Sequence, residues 1–396
     1  MAEAVIPRIP QGRSARAEFA SERRDFFRLV RRGATLELIT AGFYRFWLAT
    51  DMRRMLWSGT FIEDDAAEYT GTAKELLIGF LFAIAILAPI YLVYFLIGIE
   101  VERAKAFASI PLILFFYAFG QFAIFRARRY RATRTVWRGV RFWMSGSGWA
   151  YSWRACLWSL LALVTLGLAF PWRESALERY KMRHLHYGDL PGRFEGTGWN
   201  LFKHGCWIWL SVLGVVVLAF VFRTHPVVKV LPFLLIIAGP FIFAAYKAIV
   251  WRWWLSGIRF GEVRFESDLR VGALMGLYWA TIGWMLLIVI VGAAVIGLVD
   301  VSMPVLFGGH FGGAAVKPLA RAHPYIMAGA NILLYLMFVL AAGIVVRVYL
   351  LRGVWERVVN SASVYNLDFA EGVRAQGNLV SALGEGFADG LDVVGF

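Results

Sequence analysis

Three pairs of long apolar segments dominate the hydrophobic pattern of the chain. They cover residues 76–99 and 106–125, residues 205–222 and 230–246, and residues 271–299 and 326–346. Each is close to the roughly 20 apolar residues that a helix needs to cross a bilayer. Polar connectors at 100–105, 223–229 and 300–324 join the two members of each pair. The pattern therefore predicts three transmembrane helical hairpins, or six spans.

Two shorter apolar runs cover residues 33–47 and 156–172, and each closes on a tryptophan. If both runs crossed the membrane, the chain would contain inverted repeats, as many secondary transporters do. If both turned back, all the long Arg-bearing loops would share one side, as Arg prefers the cytoplasmic side of membranes. The charge pattern favours the second arrangement, and we predict two short re-entrant or interfacial segments.

Both short runs contain a Thr-x-Gly sequence, which we interpret as the bend of the segment. Glycine supplies backbone freedom at such a bend, and threonine supplies a hydroxyl for a freed carbonyl. In the second run, a proline and a tryptophan follow shortly after the bend. The predicted bend residues are Thr40, Gly42, Thr165, Gly167, Pro171 and Trp172.

The two short runs belong to a longer internal repeat. Residues 36–76 align without a gap with residues 161–201, and ten positions are identical at a constant offset of 125 residues. Self-similarity of this kind is the mark of a repeated structural unit. A second match, between residues 134–142 and 252–260, extends the repeat into the loop after each long hairpin.

These patterns predict an all-α polytopic membrane protein with small cytoplasmic strands. The strands end at Thr72, Gly146, Thr197 and Glu266, and we expect them to pair into a small cytoplasmic sheet. The predicted regions are a basic amphipathic segment (1–32), membrane repeat 1 (33–150), membrane repeat 2 (151–270), a third transmembrane hairpin (271–346) and a cytoplasmic acidic tail (347–396). In the tail, Phe387, Leu391 and Val394 recur at the spacing of a short amphipathic helix.

Composition supports a membrane protein. Hydrophobic residues make up 59% of the chain and charged residues 17%, against about 25% charged in soluble domains. The net charge of +14 does not favour nucleic acid as a partner, because the arginines lie beside apolar spans. We expect them to form a basic cytoplasmic face for lipid headgroups, made of Arg126, Arg128, Arg129, Arg131, Arg134, Arg138 and Arg141.

The sequence contains few residues that could act in catalysis or bind a metal. The middles of the six spans contain no Asp, Glu or His, and we expect their polar residues, among them Gln121 and Asn331, to bond neighbouring helices. His184 and His186 are two residues apart and have no third ligand nearby, so metal binding is not favoured. We predict no catalytic residues, no metal and no cofactor.

Several motifs resemble the YjgN-like family of bacterial inner-membrane proteins, whose function is unknown. They are Thr-Leu-Gly at 165–167 leading to Pro-Trp at 171–172, the helix around Arg179, Phe-Glu-Gly-Thr-Gly at 194–198, and Gly-Glu-Gly-Phe-Ala-Asp-Gly-Leu-Asp at 384–392. Phe46 stands where the second copy has Pro171. The resemblance implies an inner-membrane location and no particular activity.

Two functional hypotheses follow. The first is a channel or transporter for a small solute or lipid, favoured by the repeats and the short runs that do not cross. The second is a non-transporting scaffold whose basic face binds anionic lipid or acidic partners. An enzyme is not predicted. We expect a multi-pass protein of the bacterial inner membrane with both termini in the cytoplasm and membrane lipids as partners. The sequence leaves open whether it forms a homo-oligomer.

Overall fold

In the described part of the chain, ten short antiparallel strands close into a barrel from which the α-helices extend. The structure is a computed structural model that describes residues 12–100, 105–221, 231–306, 324–377 and 380. The strands are β1 Ala15–Phe19, β2 Thr60–Ile62, β3 Asp65–Tyr69, β4 Thr135–Trp137, β5 Val140–Met144, β6 Leu185–Tyr187, β7 Leu190–Phe194, β8 Ile258–Phe260, β9 Val263–Ser267 and β10 Ala362–Tyr365. Neighbours in sequence are neighbours in the barrel, and β1 closes it by pairing with both β2 and β10.

Four strand pairs are hairpins with two-residue loops at one rim of the barrel, which we call the turn rim. The loops are residues 63–64, 138–139, 188–189 and 261–262. Two-residue hairpin loops require positive φ in one or both residues. Gly188 and Gly261 supply it at φ 53° and 55°, and Glu63 adopts it at φ 57° without being glycine. Because these four loops lie at the turn rim, the α-helices are attached to the opposite rim, the helix rim.

The predicted all-α fold with small strands is wrong, because the strands form a closed barrel. The four strands expected from the sequence correspond to β3, β5, β7 and β9, and they do not pair with one another. Strands β4, β6 and β8 lie between them. These intervening strands are three residues long, which is too short for an alternating pattern to stand out in a sequence.

The helices form five antiparallel pairs, each of which leaves the helix rim and returns to it. They are α1 Arg23–Ile39 with α2 Arg45–Ser58, α3 Ala73–Glu100 with α4 Lys105–Thr133, α5 Gly148–Val164 with α6 Phe170–Arg183, α7 Gly198–Val221 with α8 Leu231–Gly257, and α9 Met275–Leu306 with α10 Pro324–Val345. A π-helical turn, Val346–Leu351, and helix α11, Arg352–Asn360, lead from α10 into β10. Short 3-10 helices precede α9 and follow β10, at Val271–Leu274 and Leu367–Ala370.

Four helical segments of the described chain are long and apolar enough to cross a membrane. They are Ala73–Leu96, Ile110–Thr133, Val271–Leu298 and Ile332–Asn360, and most of their side chains are not buried by the rest of the protein. The two helices of the remaining predicted hairpin are joined by residues 222–230, which lie outside the described residues. The strands have three to five residues, whereas a membrane-spanning strand needs about 9–11. The helices, and not the strands of the barrel, therefore have the length to cross a membrane.

The core of the barrel continues into the ends of the helices. Met182 of α6 and Trp253 of α8 belong to the same buried cluster as Tyr187 and Phe194 of the strands. A separate cluster, which includes Phe26 of α1 and Leu48 of α2, holds the first helix pair together. The helix rim is therefore packed, and it fixes how each helix pair leaves the barrel.

Candidate functional site

The barrel encloses a cavity of about 320 Å³. Side chains of alternate strand positions point inward, as the pleat of a strand requires. The lining is almost entirely aliphatic and aromatic. It consists of Trp57, Thr60, Ile62, Ala67, Thr135, Trp137, Phe142, Tyr187, Leu190, Phe260, Val263, Phe265, Trp355, Val364, Leu367 and Ala370.

The lining mixes small and large side chains. Thr60, Ala67 and Thr135 are small, whereas Ile62 of β2, Trp137 of β4 and the aromatic residues Phe142 and Phe260 are large. Protein interiors are normally packed without voids of this size. This cavity is therefore a candidate ligand site.

Two tryptophans line the cavity at the helix rim. Trp57 lies near the end of α2 and Trp355 lies on α11, and their rings stack with centroids 4.8 Å apart. Trp57 Nε1 donates to Thr135 Oγ1 at 3.0 Å, and Trp355 Nε1 donates to Thr60 Oγ1 at 3.0 Å. The two indoles are thus anchored to β4 and β2, between the cavity and the helices.

The segment after β10 lines the cavity at the turn rim. Asn366 has φ 62°, which turns the chain so that Leu367 is 1% exposed and lines the cavity. Leu367 N donates to Arg13 O at 2.9 Å, and Arg374 N donates to Asp189 Oδ1 at 3.1 Å. These bonds hold residues 366–374, which we call the closing segment, across the hairpin loops.

A buried ion cluster joins three helices at the helix rim. Glu178 of α6 accepts from Arg128 Nη1 at 3.0 Å and from Trp254 Nε1 at 3.1 Å, and it forms an ion pair with Lys181. Burial by itself would raise the pKa of Glu178, but the charges of Arg128 and Lys181 and the hydrogen bonds lower it to about 2. The carboxylate therefore stays ionised and ties α4 and α8 to α6.

A second carboxylate anchors the basic stretch. Arg134 makes two hydrogen bonds to Glu75, from Nε at 3.0 Å and from Nη2 at 2.8 Å, and Tyr130 Oη donates to the same carboxylate at 2.7 Å. Bidentate pairs of this kind are the strongest arginine contacts. They fix the start of α3 against the end of α4.

The structure places several of the predicted basic-face residues in internal contacts. Arg138 pairs with Glu63 and Asp65, and Arg141 Nη1 donates to Thr133 O at 2.8 Å. Arg126 lies over the Phe122 ring at 5.1 Å, Arg129 Nη1 donates to Gly146 O at 3.5 Å, and Arg131 lies on α4. Together with the pairs of Arg128 and Arg134, these contacts hold the protein together. A role in binding lipid headgroups stays a prediction.

The predicted bend residues lie in the turns of the two short helix pairs. Thr40 Oγ1 donates to Leu36 O at 2.8 Å and accepts from Tyr44 N at 2.9 Å. Thr165 Oγ1 bonds Leu161 O at 2.8 Å and Ala169 N at 3.1 Å in the same way. Gly42 and Gly167 have φ 91° and 89°.

The tips formed by these turns are apolar and exposed. Ile39 is 74% exposed and Leu166 is 82% exposed. After the second turn, Pro171 lies in the first turn of α6, and Trp172 packs on Phe202 with ring centroids 5.3 Å apart. Insertion of these tips into the bilayer stays a prediction.

The other residues singled out in the sequence are Gln121, Asn331, His184, His186 and those of the predicted tail helix. Gln121 is partly buried on α4. The side chain of Asn331 and the predicted tail helix with Phe387, Leu391 and Val394 lie outside the described residues. His184 Nδ1 is 3.1 Å from Ser145 Oγ, whereas His186 stacks on Trp143. The described residues contain no cluster of three His, Cys, Asp or Glu residues suited to a metal.

Sequence reasoning missed the cavity and the residues that define it. Trp57, Trp355 and Ala67 carry no motif, and they come together only when the barrel closes. Glu178 was also missed, because its partners Arg128 and Trp254 lie 50 and 76 residues away in the chain. A sequence gives no signal for contacts at such separations.

Fold and site together define a membrane-associated helical protein whose helix ends are gathered on a closed barrel with an apolar interior. The chain belongs to the bacterial protein of unknown function family DUF898, whose model matches residues 14–389. The YjgN-like resemblance is thereby confirmed, since the YjgN-like proteins are this family. No curated protein and no solved structure matches the chain.

Proposed function

We propose that this protein is an integral membrane transporter that takes a small apolar molecule or lipid chain from the bilayer into its barrel. The observation that carries the proposal is the apolar cavity of about 320 Å³. Ligand pockets typically measure about 300–1,000 Å³ and are lined mainly by apolar and aromatic side chains. The cavity lies next to the helix rim, so the binding site and the apolar helices are adjacent.

We place this protein in a bacterial inner membrane, which it crosses with six spans in three hairpins. The barrel and both termini then lie on the cytoplasmic side. Strands β1 and β10 pair with each other, so the two ends of the described chain lie together in the barrel. Arg126, Arg128, Arg129 and Arg131 lie near the end of α4 that enters the barrel. Arginine at the ends of spans favours the cytoplasmic side.

The two short helix pairs support an internal repeat. Their turns share the same threonine hydrogen bonds and the same positive φ at glycine, at positions 125 residues apart in sequence. Their exposed apolar tips support insertion into the bilayer without crossing it. Repeated units around a central site are common in transporters.

A non-transporting scaffold is the second candidate, and helix α1 is the observation that favours it. Arg24, Arg28, Arg31 and Arg32 are exposed on this helix, and exposed apolar residues follow at its tip. Such a basic surface beside a membrane attracts anionic headgroups. A scaffold needs this surface but does not need the cavity.

The test is lipid movement in proteoliposomes that contain the full chain. The probe is a phospholipid with a nitrobenzoxadiazole-labelled acyl chain, and dithionite bleaches the probe in the outer leaflet. Ala67 lines the cavity, and Ala67→Phe should fill it. Its neighbour Ala66 does not line the cavity, so Ala66→Phe is the matched control.

For a transporter, we expect the wild-type protein to accelerate the loss of inner-leaflet fluorescence. Ala67→Phe should reduce this rate severalfold, and Ala66→Phe should leave it close to wild type. Folding of each variant is checked by size-exclusion chromatography. Rates equal to protein-free liposomes would refute transport of lipid and leave the scaffold as the better hypothesis.

A further inference from the structure

The polar groups that line the cavity already have partners within the described structure. The two indole N–H groups donate to Thr135 and Thr60. In turn, Thr135 Oγ1 donates to Arg131 O at 2.9 Å, and Thr60 Oγ1 donates to Leu56 O at 2.8 Å. The hydroxyls therefore point their hydrogen atoms at the backbone, and their acceptor sites face the indoles.

The third hydroxyl of the lining is used in the same way. Tyr187 Oη donates to Trp137 O at 3.0 Å, and Trp137 Nε1 donates to Asp65 O at 3.3 Å. The lining residues include no Asp, Glu, Lys, Arg or His. The side-chain donors of the lining are therefore all used, so an oxygen of a ligand would lose its water on entering and find no free donor, which is costly.

We infer that the cavity receives an uncharged hydrocarbon chain and rejects a chain that carries a hydroxyl or carboxyl group inside the barrel. This inference rests on the proposed function and names its substrate class. Taking about 30 Å³ for a group the size of water or a methylene, the volume holds on the order of ten such groups. The polar end of an amphiphile stays outside the cavity.

The experiment is photo-crosslinking of the full chain in phospholipid nanodiscs. One probe is a fatty acid of about ten carbons with a diazirine at its methyl end, and the second carries a hydroxyl beside the diazirine. Labelled peptides are identified by mass spectrometry. Labelling of peptides that contain the strands is divided by labelling of the α3 and α9 peptides in the same sample, which corrects for partition into the bilayer.

We expect the hydrocarbon-ended probe to label strand peptides and the hydroxylated probe to label them at least tenfold less. Ala67→Phe should abolish strand labelling, and Ala66→Phe should preserve it. Equal strand labelling by the two probes in the wild-type protein would overturn the inference. So would strand labelling that is unchanged in Ala67→Phe.

A second variant tests the reason for the selectivity. Trp57→Phe removes the donor to Thr135 Oγ1 while keeping a ring in place. The freed acceptor should raise labelling by the hydroxylated probe severalfold, and Thr135→Val in the same chain should cancel this gain. If Trp57→Phe leaves the ratio of strand labelling by the two probes unchanged, the hydrogen bonds of the lining do not cause the selectivity. That result would refute the physical argument of the inference.

The same samples separate this inference from the proposed function. A diazirine phospholipid used beside the fatty acid shows whether the chain comes from a free acid or from a membrane lipid. Selective strand labelling with no lipid movement in proteoliposomes would refute transport but keep the hydrocarbon site. Lipid movement without strand labelling would refute the hydrocarbon site and keep transport.

Discussion

Trp57 and Trp355 stack on each other at 4.8 Å although they come from opposite ends of the chain. Each indole is also bonded to a threonine of a different strand, β4 for Trp57 and β2 for Trp355. The pair therefore joins α2 and α11 to strands β4 and β2 of the barrel beside the cavity.

Trp355→Leu should lower the free energy of unfolding by about 2 kcal/mol. The change removes the stacked ring, at about 1 kcal/mol, and a hydrogen bond, at about 1 kcal/mol. Thermal unfolding in detergent measures it. Trp153→Leu, at a position that is 67% exposed, is the control and should shift the midpoint little. Equal shifts in the two variants would mean that the Trp pair does not stabilise the barrel.

Glu178→Gln should be among the most destabilising single changes in the helix rim. It leaves the partly buried Arg128 and Lys181 without the carboxylate that compensates their charges. Removing one partner of a buried ion pair costs about 3–5 kcal/mol. Glu174→Gln, which removes a less buried partner of Arg173, should cost less. Thermal denaturation of both variants checks the order, and a larger loss for Glu174→Gln would contradict it.

Acid should lower the free energy of unfolding, because it protonates the carboxylate of Glu178. The pKa of this carboxyl is about 2 in the folded protein and 4.5 ordinarily, so the unfolded chain takes up the proton first as the pH falls. The stabilisation is complete above pH 4.5 and is lost as the pH falls from there toward 2, at up to about 1.4 kcal/mol per pH unit. Denaturant titrations at several pH values measure this slope, and Glu178→Gln should have a shallower slope over the same range. Parallel curves would show that Glu178 is not the titrating group.

Gly188→Ala should release the closing segment from the turn rim. A Cβ at this position would lie 2.4 Å from Arg374 O and 2.5 Å from Val373 Cγ1, too close for both. Gly139→Ala is the matched control, because Gly139 also has positive φ, at 74°, but has nothing within 4 Å of the added atom. Trypsin cleavage after Arg374 should become several times faster in Gly188→Ala alone. Equal acceleration in both variants would point to backbone strain and not to the lost contact.

Gly167→Ala should strain the turn of the second short helix pair. Its φ of 89° disfavours any side chain, and residues held in such regions cost about 1–3 kcal/mol. Gly120→Ala is the control, because Gly120 lies within α4 with open space around it and should tolerate alanine. If the turn takes part in transport, lipid movement should fall in Gly167→Ala while insertion stays normal. Unchanged flux would show that the turn serves only the fold.

The local features of this protein were accessible from its sequence. The apolar segments at 76–99, 106–125, 271–299 and 326–346 coincide with α3, α4, α9 and α10, because apolar length is a local property. The Thr-x-Gly sequences at 40–42 and 165–167 lie in turns, where glycine adopts positive φ and threonine bonds the preceding helical turn, both of which are local requirements. Their role as bends of re-entrant segments stays a prediction.

The barrel, its cavity and the ion cluster were decided only by tertiary structure. A three-residue strand such as β4 has too few positions to show alternation, and its hydrogen bonds go to partners that the sequence does not name. The cavity is lined by side chains from segments that lie far apart in the sequence. Glu178 acquires its charge partners only when α4, α6 and α8 meet at the helix rim. Non-local pairing, and not composition or periodicity, is therefore the physical origin of the candidate site.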